Sequence, residues 1–129
     1  MRKRKWICYI LISVTLLCSC GKEPIASNKA ITYAKKAIEI GEDYLSGELP
    51  AADARSQLDD IEDEMSYAKD YEAGEYLSDD TESADHYLGR GISVVNLYIG
   101  IDSTSKNAES YDKLKEYVDQ LKEMLDYYD

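Results

Sequence analysis

Four stretches of this 129-residue chain repeat small or apolar residues at alternating spacings of three and four. That period matches the 3.6-residue turn of a helix and lines the repeated residues along one face. The first seam is Ile31, Ala34, Ile38, Gly41 and Leu45. The second is Ala51, Ala54, Leu58, Ile61, Met65 and Ala68. The third is Ala84, Leu88, Gly91, Val95 and Tyr98, and the fourth is Tyr111, Leu114, Val118, Leu121, Leu125 and Tyr128. Three of the stretches have polar residues on their other faces and must bury their seams against a neighbour. The exception is the third, which along residues 92–101 is apolar over most of its circumference, as expected of a helix packed on several sides. Four such helices joined by short loops predict an all-α, antiparallel, up-down-up-down bundle.

Local signals place the helix ends. Ser27 or Asn28 suits the first N-cap, and Ser46-Gly47 the first stop. Pro50 suits the first turn of the second helix. The stretch 71–78, YEAGEYLS, breaks the pattern. Asp79 or Asp80 is expected to cap the third helix and Gly100 to end it, with Asp102 or Ser103 opening the fourth. Residues 92–101, ISVVNLYIGI, are rich in β-branched side chains and suit a buried strand in isolation. No other segment offers a partner strand, so the reading is helix. In that helix Gly89, Ser93, Asn96 and Gly100 make one small, partly polar face, expected to admit a neighbouring helix closely; a ligand groove is the alternative.

The first twenty residues differ from the rest. Arg2, Lys3, Arg4 and Lys5 precede an uncharged run of 14 residues from Trp6 to Ser19, which Gly21, Lys22 and Glu23 close. A bilayer-spanning helix needs about 20 apolar residues. A basic start followed by an apolar stretch of roughly 7–15 residues is the form of a secretory signal. The run ends in Leu17-Cys18-Ser19-Cys20, which resembles the lipobox of bacterial lipoproteins: an aliphatic residue three before a cysteine, and a small one just before it. The resemblance covers residues 1–21. It implies cleavage between Ser19 and Cys20, lipid on the Cys20 thiol, and a protein anchored on the extracytoplasmic side of the cell membrane or outer membrane. Cys18 stands where Ala, Ser or Thr is commoner, and Leu17 before it disqualifies Cys18 as the lipidated residue. The expected organisation is thus a signal peptide over 1–19, the lipidated cysteine and a short tether over 20–28, and a helical bundle over 29–129. Cys8, Cys18 and Cys20 are the only cysteines, so the bundle folds without a disulfide.

Charge narrows the partners. All 26 acidic residues follow Cys20, against 11 of the 15 basic ones, giving the processed chain a net charge of about −15. Such a surface repels phosphates, which argues against nucleic acid and leaves the lipid as the membrane contact. It suits a basic protein or a polycation. The expected role is an acidic interaction module of the cell envelope; the alternative is a structural or self-assembling envelope component.

Catalytic chemistry is not apparent. The one histidine, His86, sits beside Asp85 and four residues after Glu82, but no cysteine or second histidine is available to complete a zinc site. Gly91-Ile92-Ser93 lacks the second glycine of a nucleophile elbow. The acidic runs Asp59, Asp60, Glu62, Asp63, Glu64 and Asp79, Asp80, Glu82, Asp85 lack the alternating ligands and central glycine of a calcium loop. The first reads as a solvated face, with weak cation binding a lesser alternative. The second reads as helix N-terminal charge. No catalytic residue, metal ligand or cofactor is therefore expected. After processing, eleven tyrosines remain with no Phe or Trp. They should border the core with their hydroxyls outward, or form a recognition face.

Overall fold

The computed structural model describes residues 24–66, 74 and 77–129. These form four helices: α1 (Asn28–Leu45), α2 (Ala51–Glu64), α3 (Asp79–Ser105) and α4 (Ala108–Tyr128). Residues 92–101 are helical throughout. Pairings across the helices fix their directions. Ser93 and Asn96 of α3 bond Glu62 and Asp59 of α2, while the later Gly100 meets the earlier Arg55, so α2 and α3 are antiparallel. In α4, Leu121 packs on Gly91 and Tyr117 on Tyr98. Ion pairs join Glu42 to Lys122 and Lys35 to Asp129 across α1 and α4. The bundle therefore runs up-down-up-down.

The seams form its core. Leu58, Leu88, Ile92, Val95, Ile99, Leu114, Val118 and Leu121 are fully buried, together with Ala34, Ala37 and Ala54. Small residues on α1 draw the diagonal helices α1 and α3 into contact, whereas α2 and α4 barely touch. Gly41 shows why: a β-carbon there would stand 2.9 Å from Val118 Cγ2 and 3.4 Å from Val95 Cγ1. At the ends of the seams, Leu45 is half-buried and Tyr111 is exposed, while Ala68 lies outside the described residues.

Several helix ends depart from the sequence expectations. Pro50 is the N-cap of α2 and lies just outside its first turn. Ser78 caps α3, its hydroxyl accepting from the Thr81 N–H at 3.3 Å, which leaves Asp79, Asp80 and Glu82 in the first turn. There they favour the positive end of the helix dipole. Gly100 does not end α3, which continues to Ser105; the glycine instead makes room for the Arg55 side chain, since a β-carbon there would lie 2.7 Å from Nη1. Asp102 and Ser103 therefore belong to α3. The turn into α4 is only Lys106, in the left-handed conformation at φ 49°, and Asn107, whose side chain caps α4 through the Ser110 N–H.

Candidate functional site

The predicted processing residues Leu17, Cys18, Ser19 and Cys20 lie outside the described residues. What is described is where the chain enters the bundle. The Ile25 and Ala26 N–H groups donate to the Tyr128 carbonyl at 2.9 and 3.2 Å, capping the end of α4. Ser27 then donates its N–H and its hydroxyl to the two oxygens of Asp85, at 2.8 and 2.6 Å. Its hydroxyl oxygen also caps α1 by accepting from Ala30. Ala26 is buried. Of the tether expected over 20–28, residues 25–28 are thus fastened to the bundle. Asp85 is engaged there too, and neighbouring His86 is exposed, its ring edge-on to Tyr87. Among the described residues no group of three His, Cys, Asp or Glu is placed to hold a metal ion.

At the other end, Tyr44, Ala51, Asp102, Ser103, Lys106, Asn107, Ala108 and Tyr111 line an open cleft of about 620 Å³. Under it, Asp102 is 9% exposed and accepts two hydrogen bonds, from the Tyr44 hydroxyl at 2.6 Å and the Ser110 hydroxyl at 2.7 Å. One carboxylate so ties α1, α3 and α4 together. Burial, and then the hydrogen bond and charge of Asp102, push the Tyr44 phenol up to about 12. At neutral pH it is a firm donor and no base. The arrangement is a clamp beneath a shallow cleft, with no activated nucleophile. The sequence expectation put Asp102 at a helix start and Tyr44 only among the tyrosines bordering the core. The signal available was the i,i+8 placement of Asp102 and Ser110 around a turn, which spacing alone does not distinguish from surface polarity.

A second polar cluster lies along residues 59–64, which do form a solvated face, with Asp59, Asp60, Asp63 and Glu64 exposed and Glu62 half-buried. Asn96, 5% exposed, donates from Nδ2 to Asp59 at 2.6 Å and to Glu62 at 2.7 Å. Its Oδ1 accepts from Arg55 Nε at 3.2 Å, and Ser93 bonds Glu62 as well. Both N–H donors and the oxygen of the amide are thus engaged. Asp59 and Glu62 each turn one carboxylate oxygen toward Asn96, Asp59 while staying exposed, as Asp60 and Glu64 are. The small face Gly89, Ser93, Asn96 and Gly100 is accordingly covered by α2, through Met65, Glu62, Asp59 and Arg55, and is no groove.

The tyrosines divide. Tyr33, Tyr44, Tyr98, Tyr117 and Tyr128 border the core. Tyr98 and Tyr117 stack at 4.5 Å between ring centres. Tyr111 reaches the Leu45 carbonyl, while Tyr87 and Tyr127 are exposed. The described tyrosines are spread over the bundle and among them form no single aromatic face; Tyr67, Tyr71 and Tyr76 lie outside the described residues. None of the described helices is long and apolar enough to cross a membrane. No protein-family model, curated protein or solved structure matches this chain.

Proposed function

We propose that the chain is a lipid-anchored, acidic interaction module on the extracytoplasmic face of a cell membrane or outer membrane, acting by binding. The observation that carries this reading is Leu17-Cys18-Ser19-Cys20 after a basic start and an apolar run. The fold is compatible with it. Only Gly21–Pro24 separates Cys20 from the fastened residues, and four residues span at most about 13 Å. The end of the bundle holding Ile25, Ser27 and Tyr128 then faces the membrane. The cleft at Tyr44 and Asp102 stands about 27 Å away, the length of the 18-residue α1. Exposed carboxylates such as Asp60, Glu64, Asp119 and Asp126 would steer a basic protein or polycation toward the domain.

Expression of the full chain in a bacterium tests the anchor. The protein should partition into detergent and take up lipid label, and Cys20→Ser should abolish both labelling and cleavage. Unchanged mass and membrane retention in Cys20→Ser would overturn the reading.

A further inference from the structure

The cleft over Asp102 contains a charge that the bundle does not balance. Asp102, 9% exposed, lines the cleft, and each of its oxygens accepts one hydrogen bond, from Tyr44 and from Ser110. Both donors are neutral hydroxyls. A carboxylate has about four lone-pair positions, so each oxygen keeps one to offer. None of the ion pairs among the described residues includes Asp102. Lys106, the one cation of the cleft lining, is exposed and belongs to none of those pairs either, so it stands off from the carboxylate.

We propose that this cleft binds an alkylammonium group, its nitrogen on Asp102 and its carbon chain along Tyr44, Ala51, Ala108 and Tyr111. Charge selects the ligand. An ammonium donates charge-assisted hydrogen bonds to the open lone pairs and neutralises the buried charge. A neutral alcohol supplies a hydrogen bond without that charge. An anion would meet Asp102, and the first turn of α4 offers it little, because Asn107 already takes the Ser110 N–H. The rest of the lining agrees. Tyrosine rings attract a cation placed within about 6 Å of the ring centre, and the two alanine methyls suit an alkyl chain. The volume of about 620 Å³ lies within the roughly 300–1,000 Å³ of small-ligand sites. The acidic domain also raises the local concentration of cations. Lys106 opposes the ligand, but its ammonium lies in water, which screens it, whereas Asp102 acts from a poorer solvent. Two sources present the same group: a free alkyl amine, and a lysine side chain of a basic partner. The second rests on the interaction role proposed above.

Amide chemical shifts of the full chain in neutral detergent, at neutral pH and low salt, read this out. Pentylamine should shift the amides of Asp102, Ser103 and Lys106 and bind about tenfold more tightly than pentanol or pentanoate. Asp102→Asn, with helicity checked by circular dichroism, should weaken it about tenfold. Lys106→Asn removes the opposing charge with a residue that tolerates the left-handed turn, and should tighten binding about threefold. It carries the test if Asp102→Asn loses its helicity. Pentanol or pentanoate binding as well as pentylamine overturns the site. So does an unchanged affinity in folded Asp102→Asn, weaker binding to Lys106→Asn, or no shift at about 10 mM amine, where a millimolar site is largely filled. Lysine capped as its acetyl methylamide separates the sources. Affinity equal to that of pentylamine assigns the group to a partner's side chain; a loss of about tenfold assigns it to a free amine and overturns the protein source. Amine binding should be the same in Cys20→Ser. Lost binding in lipid-labelled protein thus refutes the cleft alone, and lost labelling with binding intact refutes the anchor alone.

Discussion

Two positions along α3, the buried Asp102 and the buried Asn96, hold a polar group in opposite ways. Near its C-terminal end, Asp102 buries a charge and is held by two neutral hydroxyls, from Tyr44 and Ser110. In the middle, Asn96 buries a neutral amide and is held by charged groups, Arg55, Asp59 and Glu62. Arg55 and Asp59 stay exposed and Glu62 half-exposed, so those charges keep much of their water and only the amide is desolvated. Asp102 has no such relief. Its two donors replace the water it gave up, and losing them leaves a buried charge in a poor solvent. No buried side-chain polar atom among the described residues lacks a partner, so both solutions are complete.

Breaking the first solution should have the largest effect. Tyr44→Phe with Ser110→Ala strips Asp102 of both hydroxyls and should destabilise the bundle by about 3–5 kcal/mol in urea unfolding. Adding Asp102→Asn, which removes the charge, should restore part of that loss; if it does not, the carboxylate is not what the hydroxyls serve.

Tyr44→Phe alone should cost about 1.5–3 kcal/mol at neutral pH, the range for hydrogen bonds to a charged group, and its pH dependence sharpens the contrast. The folded state raises the phenol from its ordinary 10 to about 12, so it holds the proton more tightly than the unfolded chain does. That stabilisation is whole below pH 10 and is lost as pH rises toward 12. The difference between native protein and Tyr44→Phe should shrink across that window and stay flat from pH 6 to 9. A difference that persists at pH 12 would show that packing, and not the hydroxyl, holds α1 to α3.

Asn96→Ala tests the other solution and should cost less, about 1–2 kcal/mol, because Asp59 and Glu62 can turn back to water. A loss as large as that of the double variant would erase the distinction between the two clusters. Smallest is the turn beside Asp102. Lys106 stands at φ 49° and ψ 42°, where a β-carbon is disfavoured by roughly 1–2 kcal/mol. Lys106→Gly should raise stability by about 1 kcal/mol in thermal unfolding; a loss would mean that the lysine side chain supports the cleft end.

The sequence by itself determined the four helices of the described residues, their inward faces and their antiparallel order. Those follow from a local rule: burial at a 3.6-residue period is written in the chain, and the short turns from α1 to α2 and from α3 to α4 force those neighbours to run opposite ways. Leu58, Leu88, Val95, Leu114, Val118 and Leu121 were legible from spacing alone. Only the tertiary structure decided where α3 ends, that Asp85 fastens the incoming chain, that Asp59 and Glu62 turn toward Asn96, and that Asp102 lies beneath a cleft. Gly100 and Asp102 carry ordinary local signals for a stop and a start. The glycine serves the close passage of Arg55, and Asp102 is held by Tyr44 and Ser110, partners that three-dimensional packing alone brings near. A helix end is set by a balance of about 1 kcal/mol, the size of one capping bond. A single tertiary hydrogen bond to a buried carboxylate is at least as large.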